Sequence, residues 1–194
     1  PFALWTGPSG PEPAAGFDGD GRFADGVVEA EVLVRGATEL AAVVVRGLPS
    51  GGGLEERFTG YEVAMVPPLK LVELRKSTAK GSSVLASVKR ELPADSWLHI
   101  RLEAEGGRLA ATLDREARPL LTAEDADPVV RPGHLGLRTW GAALEARGVV
   151  VTPRGAAAVR ADPANPPDAG EAAARAARDL CLLILNMNEF IHVD

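Results

Sequence analysis

The chain has 194 residues, with 21 Lys and Arg against 27 Asp and Glu, a formal net charge of −6 and a single cysteine, Cys181. That length holds one domain with its own core plus an appendage. The acidic balance argues against nucleic acid as the partner of the whole chain, and the lone cysteine excludes an internal disulfide framework or a thiolate-rich metal site.

In chain order, the first clear strand pattern is Val27 to Val34, where Val28, Ala30, Val32 and Val34 alternate with Glu29 and Glu31. Period two marks a strand with one buried and one wet face. Further runs fall at Leu40 to Arg46, Tyr61 to Val66, Leu69 to Lys76 and Val84 to Val88. Leu48 to Glu56, with Gly51, Gly52 and Gly53, is expected to be a mobile surface loop. Pro67-Pro68 cannot sit inside a central strand and marks a corner or an edge. The clearest strand is Trp97 to Glu105, with Leu98, Ile100, Leu102 and Ala104 on one side and Trp97, His99, Arg101 and Glu103 on the other. Gly106-Gly107 then joins it to a second alternating run, Leu109, Ala111 and Leu113, which reads as a tight hairpin. His134 to Trp140 and Leu144 to Thr152 complete about nine short strands without an intervening helix, the pattern of an antiparallel sandwich.

Past that point the composition changes. Residues 153–170 are rich in Pro and Ala and read as a linker, leaving 1–152 as the sandwich and 171–194 as a C-terminal helix. Asp168 with Glu171 would form its capping box, and Leu180 to Leu185 is apolar nearly all round, so the helix needs a partner surface. The run Leu180 to Leu185 is far below the roughly 18–20 residues of a membrane span, so no transmembrane segment is expected. The chain opens at Pro1 with no initiator Met and no apolar leader, which leads to the expectation of a fragment or a processed product, with any export signal lying upstream.

Trp97, the Gly106-Gly107 hairpin, Asp114, Pro119, Leu120, Gly133, Gly136, Leu137, Arg138 and Val149 to Val151 together resemble the concanavalin-A-like, laminin-G-like jelly-roll superfamily. The resemblance runs from Phe23 to Thr152 and implies an all-β, two-sheet jelly roll. Function does not follow from it, because such folds host lectins, glycosidases and inert spacers alike. The tail Arg178 to Asp194, around Asn188-Glu189-Phe190, is similar to the extreme C-terminus of large planctomycete proteins that carry cytochrome-c-like domains. No Cys-x-x-Cys-His accompanies it, so no haem role is implied.

Glycosidases of this superfamily set two carboxylates on one strand face, as Glu-x-Asp-x-x-Glu or a near variant, and no strand here has that spacing. Glu29 and Glu31 read as a solvated face, and Glu124, Asp125 and Asp127 as turn chemistry. Asp18, Asp20 and Asp25 are spaced like a calcium loop, although the flanking helices of an EF-hand are absent; the competing reading is an Asp/Gly turn. His99, His134 and His192 lie on separate elements without ligand spacing.

A sugar site presents aromatic platforms beside hydrogen-bonding groups. Trp5, Tyr61, Trp97 and Trp140 are the aromatic candidates, with Trp97 and Trp140 equally suited to plugging the ends of the core. The most distinctive charge feature is Lys70, Arg75, Lys76, Lys80, Lys89 and Arg90 against the single acid Glu73. It reads as a surface for an anionic glycan or acidic partner, or as lysine protection of an edge strand. The sequence and its resemblance therefore lead to the expectation of a non-catalytic carbohydrate- or protein-binding accessory module of a larger exported bacterial protein, needing no cofactor, calcium aside. The alternatives are a keto-disaccharide hydrolase-like enzyme of the same fold and a structural spacer.

Overall fold

The computed structural model describes residues 14–17, 23–34, 39–49, 58–141 and 145–161. All belong to one compact unit, Phe2–Pro163. The helix expected over 171–194, the tail resemblance, Asp18, Asp20, Trp5 and most of the glycine loop lie outside the described residues.

Twelve strands build two sheets: β1 (Ala14–Phe17), β2 (Gly26–Val34), β3 (Leu40–Pro49), β4 (Phe58–Val66), β5 (Leu71–Thr78), β6 (Gly81–Lys89), β7 (Ser96–Glu105), β8 (Arg108–Leu113), β9 (Leu121–Glu124), β10 (His134–Trp140), β11 (Glu145–Pro153) and β12 (Val159–Ala161). The first sheet runs β1-β10-β3-β4-β5-β6 and the second β12-β11-β2-β7-β8-β9, with every pairing antiparallel. This is the expected all-β sandwich. No α-helix occurs among the described residues, and no helix there is long and apolar enough to cross a membrane.

The alternation read from the sequence sets which side chains meet. Val28, Ala30, Val32 and Val34 of β2 and Leu98, Ile100, Leu102 and Ala104 of β7 face Val43, Val45, Tyr61, Val63, Met65, Val72 and Leu74 of the first sheet in one continuous buried core. A one-residue slip of any of these strands would turn its apolar set to the outside. Pro67-Pro68 forms the corner foreseen for it: Pro67–Leu69 is a single 3-10 turn between β4 and β5, closed by Lys70 in the left-handed region.

Three short strands escape the periodicity. β1, β9 and β12 have four, four and three residues, too few for an alternation to register. β12 falls in the segment read as linker and pairs with β11 through Val149↔Ala161, so the second sheet continues past Thr152. Leu48 and Pro49 extend β3 and are not loop.

A charged knot ties the β9–β10 connection to the sandwich. Arg46 sits at a bulge of β3 with φ 54° and no exposed surface. It donates to the carbonyls of Ala24, Gly106 and Val129, and to Asp25 Oδ1 at 2.6 Å. Gly133 is required beside it, because a Cβ there would lie 2.4 Å from the Arg46 carbonyl carbon. Next to this knot, Tyr61 Oη donates to Asp125 Oδ2 at 2.7 Å and accepts from the Val129 amide at 2.8 Å. Burial and the Asp125 contact push the Tyr61 hydroxyl up to about 12. Burial also acts to raise the Asp125 carboxyl, but hydrogen bonds from Tyr61, Lys76 and the Asp127 amide outweigh it and hold it below its ordinary value.

Candidate functional site

The outer face of the first sheet carries an ordered set of polar groups, and strand register explains it. One row across the sheet reads Arg138, Ala42, Ala64, Glu73, Ser87 from β10 to β6; the next reads Gly136, Val44, Glu62, Arg75, Val84. Arg138 crosses β3, whose residues at that level are Ala42 and Val44, and donates from Nη1 to both oxygens of Glu62 at 3.0 and 3.2 Å. Small side chains on β3 leave the long guanidinium a path across the strand.

On the other side of Glu62, Arg75 approaches to 3.9 Å and pairs with Glu73 at 2.5 Å. Ser87 Oγ donates to Glu73 Oε1 at 3.3 Å. The result is an alternating chain, Arg138–Glu62–Arg75–Glu73, across four strands. Glu62 is 0% exposed while the side chains of Arg138 and Arg75 are 16% and 20% exposed, so the carboxylates form the floor and the guanidiniums the accessible layer. Such charge-assisted pairs fix donors in direction, a requirement for recognising sugar hydroxyls.

Toward β4's start the face opens into a cavity of about 300 Å³ lined by Phe58, Ser77, Thr78, Ala79, Lys80, Gly81, Ser82 and Arg138. Ser77 Oγ and Ser82 Oγ share a hydrogen bond of 2.6 Å. At the other end lie Trp140, opposite Leu40, and a second buried apolar cluster of Leu40, Ala42, Ala64 and Val66. Trp140 is 42% exposed.

The candidate residues are sorted by this geometry. Tyr61, expected as an exposed aromatic, is fully buried and points its hydroxyl at Asp125; as placed, it offers no ring to a sugar. The alternation of β4 puts it inside, together with Val63 and Met65. Trp140 and Trp97, candidate platforms equally suited to plugging the ends of the core, both stand on outer faces, Trp97 beneath the Arg147 guanidinium at 4.0 Å.

The six basic residues do not form one patch. Lys70 pairs with Glu91 at 3.1 Å and Arg90 with Glu116 at 2.9 Å. Lys76 turns toward Asp125 at 2.9 Å, and Arg75 belongs to the outer-face chain. Lys80 and Lys89 are exposed and form no ion pair among the described residues. Asp25, the one described member of the calcium candidates, is occupied by the Arg46 guanidinium and the Gly106 amide. Among the described residues no cluster of three or more metal-ligating side chains occurs. Glu29 and Glu31 form the solvated face expected of them, Glu31 accepting from Arg147 at 2.7 Å. The Arg147 hydrogen bond holds the Glu31 carboxyl below its ordinary value.

Sequence reasoning missed Arg138 and Glu62 as a pair. Their positions are 76 residues apart, and only the order β10-β3-β4 brings them together.

Neither a protein-family profile nor a curated protein sequence matches the chain. Solved structures do. The carbohydrate binding module CBM66 from Bacillus subtilis superposes with a TM-score of 0.57 at 24% identity, over 66% of this chain and 75% of that one. A Bacillus subtilis protein of unknown function with a galectin-like fold gives a TM-score of 0.60 at 17% identity, over 76% and 78%. A galectin from Caenorhabditis elegans gives 0.52 at 11%, over 76% and 94%. At these identities the likeness shows the fold: a galectin-like jelly-roll sandwich of the concanavalin class.

Proposed function

We propose that the protein is a non-catalytic glycan-binding module whose binding face is the outer surface of the β10-β3-β4-β5-β6 sheet, and that it serves as an accessory domain of a larger exported bacterial protein. The observation that carries this reading is the Arg138–Glu62–Arg75–Glu73 chain, which presents two oriented guanidiniums above carboxylates withdrawn from solvent. Its position beside a hydroxyl-lined cavity at one end and exposed Trp140 at the other matches what a sugar needs: directed donors, hydroxyl partners and an apolar platform. The fold shared with a carbohydrate binding module and a galectin supports it. Both carboxylates of this ion-pair chain, Glu62 and Glu73, are tied to guanidiniums, and among the described residues no second carboxylate stands free across a gap for glycoside cleavage.

The test is a glycan array followed by calorimetry on the best ligand. Wild type should bind, and Arg75→Ala should bind at least tenfold more weakly, while Glu31→Gln on the opposite sheet should bind as wild type. Equal binding by wild type and both variants, or binding by none of them to any glycan, would remove the reading.

A further inference from the structure

Among the described residues, the cavity at the Phe58 end of the outer face is lined by charge of one sign: Lys80 and Arg138 face it and no described carboxylate does. Arg138 engages Glu62 through Nη1, and its Nε is buried without a hydrogen-bond partner, an unusual state for a buried donor.

Lys80 is presented by the β5–β6 turn. Thr78 Oγ1 accepts from the Lys80 amide at 3.2 Å and donates to the Gly81 carbonyl at 3.2 Å, which fixes the turn. Lys70, Arg75, Lys76 and Arg90 are each neutralised within the molecule. Lys80 is not paired among the described residues. Among the described residues the lining carries two positive charges, one of them offset by Glu62 from outside the walls, which suits a single negative charge. At about 300 Å³ it is at the small end of ligand sites, with room for one sugar ring.

Resting on the outer face being a glycan-binding face, we propose that this cavity receives a uronate: a sugar residue bearing a carboxylate. Lys80 and Arg138 take the carboxylate, and Ser77 and Ser82 take ring hydroxyls. A planar guanidinium suits a planar carboxylate, and the ammonium supplies the second charge.

The experiment uses oligomers of galacturonate, glucuronate and mannuronate, each beside its carboxyl-reduced neutral form, with a sulfated neutral oligosaccharide as a further probe. At least one uronate should bind at least tenfold more tightly than its reduced form and more tightly than the sulfated probe. Lys80→Gln should weaken it at least fivefold and flatten its salt dependence with the melting temperature unchanged. Arg108→Gln, the same charge change on the opposite sheet, should do neither. Equal binding of acid and reduced forms, equal binding of the sulfated probe, or equal loss in Lys80→Gln and Arg108→Gln overturns the uronate assignment. Binding to neutral glycans alone overturns it too while leaving the glycan face standing; binding to no glycan removes both.

Discussion

On the outer face of the second sheet, Glu31 meets Arg147 with side chains 32% and 51% exposed, and Arg101 meets Glu103 in the same open setting. On the outer face of the first sheet, Glu62 and Glu73 are withdrawn from water and each is held by arginine. Both faces obey the same alternation and both pair opposite charges. What differs is solvation. Exposed pairs gain little, because water screens them and side-chain entropy opposes them. Withdrawn carboxylates are costly unless their partners are kept, so they hold their geometry. The first face therefore offers fixed donors to a ligand, whereas the second is a solvated surface.

That contrast can be broken by substitution. Glu62→Ala should cost about 3 kcal/mol in urea unfolding, since it strands the Arg138 guanidinium, which retains only partial access to water, while Arg75 keeps Glu73. A loss no larger than that of an exposed pair would place Glu62 with the solvated charges.

Asp125→Asn tests a withdrawn carboxylate away from either face and should cost about 1.5–3 kcal/mol at neutral pH. The Asp125 carboxyl lies below its ordinary value of 3.8 in the folded protein, so its charged form is the one folding favours. Its contribution is complete above 3.8 and is lost as pH falls from there through the lower folded value. The gap between wild type and Asp125→Asn should accordingly narrow in urea titrations run below pH 3.8. A gap that widened on acidification would reverse the sign.

Trp97→Ala, on the second face under Arg147, should cost about 1 kcal/mol, the scale of an exposed cation–π contact. A cost of a buried aromatic, about 3–5 kcal/mol, would mean that Trp97 closes the core after all. Glu31→Gln should leave the urea midpoint within error of wild type. A clear shift would show that the second face, too, has structural charges.

The fold was readable because its long strands alternate: β2 and β7 announce their inner faces residue by residue, and Pro67-Pro68 and Gly106-Gly107 mark their turns. The site was not, for two physical reasons. Alternation says which residues share a face but not which strands adjoin, so Arg138 and Glu62 stay unrelated until β10, β3 and β4 are set in order. Nor does a charge count say who neutralises whom: six basic residues between Lys70 and Arg90 look like one patch, yet four find acids of their own. Tyr61 shows the same limit for aromatics, since its strand parity with Val63 and Met65 takes it inside.

The most direct measurement is the change in backbone amide shifts on titrating ¹⁵N-labelled protein with the best glycan from the array. The account predicts perturbations confined to β10, β4, β5 and the β5–β6 turn, centred on Arg138, Arg75, Ser77 and Lys80. Perturbations centred instead on β2, β7 and β11 around Trp97 and Arg147 would contradict it.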